Sequence, residues 1–504
     1  MTNRITGLSS GMDTEALVKS LVKGYQAKVD NLGKNQKRHS WKMDAWKALN
    51  AKAVSFYNGA VDSLTTSDAF SKKTTESTNP KAVTITTGNS AMNTTQKMKV
   101  NSLASSAYLT GSKVTDNSTG KAATGATKLS DVYNFDSTGK TKIKVKVGTE
   151  EKELEFSSDQ TLADVASALK ALDIDGKKYN ANFDSAQGRF YMAATKSGEA
   201  GNFSFSGDED FLKALGVHQD KAIYNTGSDA KITLNGVDYT SSTGVFEING
   251  LTITANEVTD SEFTITTKRD TSATYDLIKG LISEYNKLIR DLDTAYHADG
   301  ASKYKMLSDD DKKAMGEKEA EEWEKKIKEG LLSKDSVLSN ITDKLKRVMM
   351  GGISVKRADG TTETLHLSDF GINTGKYDQT APKDRGVYNI DGDKDNPLTK
   401  SKADLLSSAI ASDPDMVAGF FSQLSKNLHS SMFELMKGTD YSSNYTIYED
   451  KLMSSQYSSY NTKISSATQK LNAKEDYYYR KFAAMEKALS KLNSTQSSLS
   501  GFFK

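Results

Sequence analysis

Cysteine is absent from the 504 residues. That removes thiolate metal sites, iron–sulfur clusters, disulfide frameworks and cysteine nucleophiles together. Proline is scarce. The four stand at Pro80, Pro382, Pro397 and Pro414, so the first 79 residues and the last 90 contain none. A proline inside a helix costs about 3 kcal/mol, and two long proline-free ends therefore invite helices. No stretch approaches the ~18 uninterrupted apolar residues of a membrane span, so membrane insertion is not expected. Neither sign of charge dominates: 67 Lys and Arg oppose 65 Asp and Glu, a net charge of +2. No nucleic-acid partner is implied, and the interleaved signs exclude a disordered tail of one charge. The N-terminus has one Arg and no continuous apolar segment, unlike a cleavable Sec-type signal. The length suggests about three domains at ~150 residues each.

Motifs that would carry chemistry fail on inspection. Ser137–Thr141 (STGKT) resembles the end of a phosphate loop, but Asn134 stands where the loop needs its first glycine. Asp391, Asp393 and Asp395 have the alternate spacing of a calcium loop, yet the turn position is Asn396 and the twelfth is Lys402, not Glu. The five histidines (His39, His218, His297, His366, His429) never fall at metal-ligand spacing. Trp41, Trp46 and Trp323 lie on predicted helices and read as packing residues. The expectation is no enzyme, no catalytic residues, no cofactor and no metal.

What is present is periodicity. Ile464, Leu471, Tyr478, Met485, Leu492 and Leu499 recur every seven residues. Thr468, Glu475, Phe482, Leu489, Gln496 and Phe503 follow each by four. A seven-residue period kept this long predicts a coiled coil, with Glu475 and Gln496 as polar interruptions. At the other end, Asp13 can cap a helix from Thr14. Leu17, Leu21, Val22, Tyr25, Val29 and Leu32 form one face, continued by Trp46, Leu49, Ala53, Phe56, Ala60 and Leu64. The two helices are placed at about 14–66 and 447–500, each ~75–80 Å long at 1.5 Å per residue. Matching lengths at opposite ends suit an antiparallel pair, with the rest of the chain inserted between them.

From Lys81 the pattern alternates as strands do: Val83–Thr87, Gln96–Leu103, Lys142–Val147, Lys152–Phe156, Arg189–Ala194, Asn202–Phe205 and a run from Lys231 to Thr267. Asn235-Gly236 and Asn249-Gly250 are hairpin signals. Leu162–Leu172 reads as a short helix and 111–140 as loop. Helices resume at 271–297, 309–329, 334–349, 402–411 and 415–437, with a small β element between Ile353 and Ile390. The charge-dense 308–330 stretch reads as a solvated helix face. The fold class is α+β and multidomain: a coiled-coil leg of long terminal helices (1–40 with 461–504), a helical body (41–74 with 271–460), and two nested β-rich head domains (75–110 with 228–270, and 111–227).

Several passages together resemble the flagellar filament cap family, also called hook-associated protein 2. They are Ile5–Val22 (ITGLSSGMDTEALVKSLV), Ser77–Leu103 and Tyr275–Asp293 with its Tyr285-Asn286 pair. Gly330–Leu338 (Gly330, Leu331, Leu332, Asp335), Leu367–Ile372 (LSDFGI) and Phe482, Met485 and Glu486 near the end complete them. Leu154–Leu172 is similar to a small repeat of flagellin-like insertions. The resemblance implies an extracellular protein at the distal tip of the bacterial flagellum, exported without a cleaved signal peptide. It implies a homo-oligomeric ring, a pentamer or a nearby count, that promotes flagellin polymerisation. Its partners would be itself, flagellin, the hook-filament junction proteins and a cytoplasmic export chaperone. The assembly residues would be Leu17, Leu21, Ile464, Leu471, Tyr478, Phe482, Met485, Leu489, Leu492 and Leu499. The alternative is cell adhesion, with the head domains binding host glycan or mucin.

Overall fold

The computed structural model describes residues 10–357 and 360–502. Ile5–Ser9 of the N-terminal passage and Phe503 of the second heptad row lie outside the described residues. Ten α-helices occur among the described residues: α1 (Thr14–Phe56), α2 (Leu162–Lys170), α3 (Glu209–Ala214), α4 (Thr271–His297), α5 (Asp309–Met315), α6 (Glu317–Glu329), α7 (Ser336–Met350), α8 (Leu405–Ser412), α9 (Pro414–Met436) and α10 (Asp450–Phe502). The chain divides into two compact units, Ser71–Asp270 and the remainder.

The helical unit is built on α1 and α10, which pack antiparallel. Neither helix breaks at residue 40 or 460, so leg and body are continuous along both. α1 stops short of the expected residue 66. Its last turns loosen into a π-turn (Tyr57–Val61) and a 3-10 turn (Asp62–Leu64). The body core gathers Trp46, Phe56, Ile278, Tyr285, Leu345, Phe370, Phe420, Phe421 and Leu428, all buried. The motif residues have structural duties there. The Asn286 amide accepts from the Tyr388 N–H (2.8 Å) and donates to its carbonyl (2.7 Å), pairing with that backbone as a neighbouring strand would. Gly330 packs so closely that a Cβ would lie 2.2 Å from the Asp299 carbonyl oxygen. Asp335 caps α7 by accepting from Val337 (3.0 Å) and Leu338 (3.4 Å).

The single helix expected over 309–329 is two, because Gly316 at φ +85° ends α5 and opens α6. Nor is that stretch merely solvated. Ile327 is fully buried, and Lys37 and Lys312 reach Glu324 at 3.3 and 2.7 Å while Lys42 reaches Asp335 at 2.8 Å. The Lys37 pair fastens the block to α1, the Lys42 pair ties α1 to the start of α7, and the Lys312 pair joins α5 to α6.

The β-rich unit holds two cores. In the first, strands order as 73–77, 263–269, 94–102, 230–234 and 237–241, and a three-stranded sheet orders as 245–248, 251–255 and 83–87. Met98, Val100, Ile232, Ile253 and Ile265 fill the space between. Both Asn-Gly turns have two residues at positive φ (Asn235 +52°, Gly236 +81°; Asn249 +48°, Gly250 +77°), as tight hairpins of this hand require. The second core joins a three-stranded sheet (203–207, 140–147, 150–157) to a five-stranded one (223–225, 108–110, 189–194, 177–184, 173–174), with α2 and α3. Tyr108–Thr110, assigned from sequence to the first of these domains, belongs to the second. It pairs with Tyr191–Ala193, and Leu109 is buried in that core.

Candidate functional site

The candidate site is the distal half of the α1–α10 pair. Asp13 caps α1 by accepting from the Ala16 N–H at 2.9 Å. Contacts along the pair fix an antiparallel register. The Ser10 hydroxyl donates to the Glu486 carboxylate, Gln36 donates to Asn461, and His39 donates to the Met453 carbonyl at 2.8 Å. Farther in, Trp46 stacks on Tyr448 (5.4 Å, 6° between planes).

Val18, Val22 and Leu471 form the buried apolar cluster of the leg, with Val29, Tyr478, Tyr479 and Phe482 half-covered against them; Thr14, Ala467 and Glu486 are buried on the same helices. Ile464, Met485 and Leu489 are also half-buried. Leu492 and Leu499 stand 65% and 54% exposed, beyond the Ser10–Glu486 contact. Leu17 and Leu21 do not enter the seam and are 39% and 48% exposed. Val22, from the expected face, and Val18, which that face left out, are buried there instead. The sequence held the signal: 18, 22, 25, 29 and 32 keep alternating steps of four and three, whereas 17 and 21 run on to Gly24 and Lys28. The leg thus has two apolar surfaces on α1, one covered by α10 and one open.

The polar interruption Glu475 is half-buried, while Glu486 is buried against Ser10. Tyr477 is exposed, and Lys474 and Lys481 sit over its ring at 5.5 and 4.9 Å. The hydrogen bond from Lys481 holds its hydroxyl below the usual tyrosine range.

The motifs rejected on sequence have ordinary explanations. Asp136 accepts from the Thr138 N–H (2.8 Å), so STGKT is a turn leading into strand 140–147. The Lys279 ammonium lies 2.7 Å from both Asp393 and Asp395, and Lys402 lies 2.9 Å from Asp391. Protein cations occupy the carboxylates. Among the described residues no group of three His, Asp or Glu is arranged to hold a metal, and no helix is long and apolar enough to cross a membrane. Trp46 is buried, Trp323 donates to the Lys305 carbonyl (3.0 Å), and Trp41 lies between Lys37 and Lys328.

Paired terminal helices, a helical body and a β-rich insertion make this a multidomain α+β protein built on a coiled-coil-like leg. Family models point to one such group: the C-terminal region of flagellar hook-associated protein 2 matches residues 227–494, and its N-terminal region matches 10–107. The chain belongs to the flagellar hook-associated protein 2 family, the flagellar cap proteins. Flagellar hook-associated protein 2 of Halalkalibacterium halodurans is 22% identical over 538 residues, covering 99% of each chain. The A-type protein of Pseudomonas aeruginosa is 23% identical over 522 residues, covering 97% of this chain and 95% of its own. The crystal structure of the Escherichia coli flagellar cap protein FliD, domains D1–D3, aligns with 77% of this chain and 96% of its own, at 18% identity and a TM-score of 0.47.

Proposed function

We propose that this chain caps the distal end of the flagellar filament as a homo-oligomeric ring and promotes flagellin polymerisation there. The work is steric and conformational, with no covalent step. One observation beyond family membership supports it. Among the described residues the leg's buried apolar cluster is only Val18, Val22 and Leu471, while Leu17, Leu21, Leu492 and Leu499 remain exposed on the same helices. A helix pair so thinly seamed, with apolar residues left over, suits partners that are engaged and released as subunits are added. On this reading the open residues meet neighbouring subunits, flagellin and the hook-filament junction proteins. The half-covered row of Ile464, Tyr478, Phe482, Met485 and Leu489 adjusts beneath them. An export chaperone covers the leg before secretion.

The test deletes the gene in the source bacterium and compares monomeric flagellin in the medium with flagellin in filaments. Monomer spilling into the medium, reversed by added protein, is the expected result. Normal filaments without the protein would sink the reading. Binding of the isolated 71–270 unit to a glycan or mucin array would then bring adhesion forward.

A further inference from the structure

In the helical unit, α1, α4, α6 and the turn at 381–383 enclose an open groove of about 1020 Å³. Its floor is made of small side chains. Ala45 and Ala48 lie one turn apart on α1, Ala295 lies in the last turn of α4, and Ala298 follows directly after its end. Helices approach most closely where the contact side chains are small. A helix ~10 Å across would place two to three turns in this volume.

The rim carries both signs, but its unpaired charges are positive. Each carboxylate in the lining has its own lysine: Asp291 with Lys52 (2.8 Å), Asp299 with Lys303 (2.9 Å) and Glu329 with Lys325 (3.9 Å). Lys326, Lys328 and Lys383 have no carboxylate within ion-pair distance among the described residues. The first two lie over the rings of Tyr304 (5.6 Å) and Trp41 (4.8 Å). The open apolar segments of this chain are poor complements, because lysines flank them too: Lys19 and Lys23 beside Leu21, Lys487 and Lys491 beside Leu492.

We propose that this groove docks an amphipathic helix of another protein, two to three turns long, with an apolar face and Asp or Glu on its flanks. The inference stands apart from the capping reading, and either can fail without the other.

The test uses the full chain and two labelled, helix-stabilised peptides of about 14 residues. They share one leucine–alanine face, flanked by Glu in one and by Lys in the other. Anisotropy should show the acidic peptide binding at least about tenfold more tightly, with the gap narrowing as salt rises. Ala48→Trp, which fills the floor from an exposed position, should abolish binding while the thermal melt is unchanged. Lys383→Glu with Lys326→Glu, both on the surface, should weaken the acidic peptide and strengthen the basic one. Equal binding of the two peptides, or no binding of either, overturns the proposal, as does indifference to both sets of substitutions. If Ala48→Trp instead dissociates a self-assembled species in sedimentation velocity, the occupant is a second copy of this chain and the proposal falls.

Discussion

Truncating Leu471 to alanine should open the leg and leave the body standing. Leu471 is 6% exposed and belongs to a cluster with only two other buried residues, Val18 and Val22. Removing a buried leucine costs 2–5 kcal/mol in closed cores. Here one side of the site is open to water and the helices can relax together, so the low end, about 2–3 kcal/mol, is appropriate. Long helices draw most of their stability from packing of one face, and the loss falls on the buried apolar cluster that joins the distal parts of α1 and α10 among the described residues. Opening should therefore become about 30- to 150-fold more populated. Amide exchange on the full chain reads this directly. Residues 14–32 and 465–490 should lose protection, while 41–56 and 450–460, packed around Trp46 and Tyr448, keep it. Leu17→Ala, on the open side, should change exchange little. Equal losses from Leu471→Ala and Leu17→Ala would refute the seam assignment. So would a drop in the main melting transition of the body on Leu471→Ala.

Trp46→Ala removes a 2%-exposed ring stacked on Tyr448; a loss of about 3–5 kcal/mol should lower the main transition in calorimetry. Lys346→Met strands Asp293, which is 1% exposed and bonded to Lys346 at 2.7 Å; breaking such a pair costs about 3–5 kcal/mol. Burial already raises the Asp293 carboxyl, against the opposing Lys346 bond. Its contribution is complete below the unfolded carboxyl value and is lost as pH rises through the raised folded value. Without the ammonium the raise grows, so the variant's deficit should shrink between pH ~7 and ~5, and an equal deficit at both would refute the assignment. Asp208→Asn keeps a cap for α3 but loses charge-assisted bonds from Tyr133 (2.6 Å) and Thr141 (2.8 Å), at about 1–2 kcal/mol. Burial opposes ionisation of Asp208, but bonds from Tyr133, the Phe211 N–H and Thr141 outweigh it and the carboxyl sits below its ordinary value. That stabilisation exists above the unfolded value and disappears as pH falls through the folded one, so wild type and variant should converge in acid melts. The Tyr133 hydroxyl, pushed up to about 12 mainly by its bond to Asp208, should titrate nearer 10 in the variant.

Local signals and long-range pairing were unequally legible. The strand Arg189–Ala194 and the helix at 271–297 follow from alternation and periodicity alone, since burial on one face repeats the pattern along the chain. The strand Lys177–Asp184 was missed. Its buried residues are only Tyr179 and Phe183, preceded by Lys177 and Lys178 and separated by Asn180, Ala181 and Asn182. Yet Asp175-Gly176, at φ +52° and +74°, is the same kind of turn signal as the two Asn-Gly pairs. Tyr108–Thr110 was placed with the wrong core because three residues carry too little pattern, and only pairing with Tyr191–Ala193 decides the matter. In the candidate site the α10 heptad gave Leu471 and its half-covered neighbours. On α1 the face read from the sequence included Val22, Val29 and Leu32, which are covered, but took Leu17 and Leu21 and left out Val18, about 100° of helix rotation from Leu17. Leucine outranks valine in size, but register across the pair sets which residue is covered.

That displacement matters for how the leg can work. Had Leu17 and Leu21 been the seam, the open side of α1 would carry Val18 and Val22, with less apolar surface to offer a partner. With the valines inside, the larger leucines stand outside beside Tyr25. On α10, coverage falls from Leu471 outward, until Leu492 and Leu499 are the most exposed of their row. Cohesion therefore declines along the leg while unused apolar surface increases. Protein partners contacting the distal leg gain area without first having to strip α1 from α10. The body, held by its own large core, need not change when they depart. A leg seamed along its full length by leucines would lose this division, and substituting Val18 and Val22 by leucine with Leu17 and Leu21 by glutamine tests it. Filament growth supported by that variant as well as by wild type would show that the open leucines are dispensable.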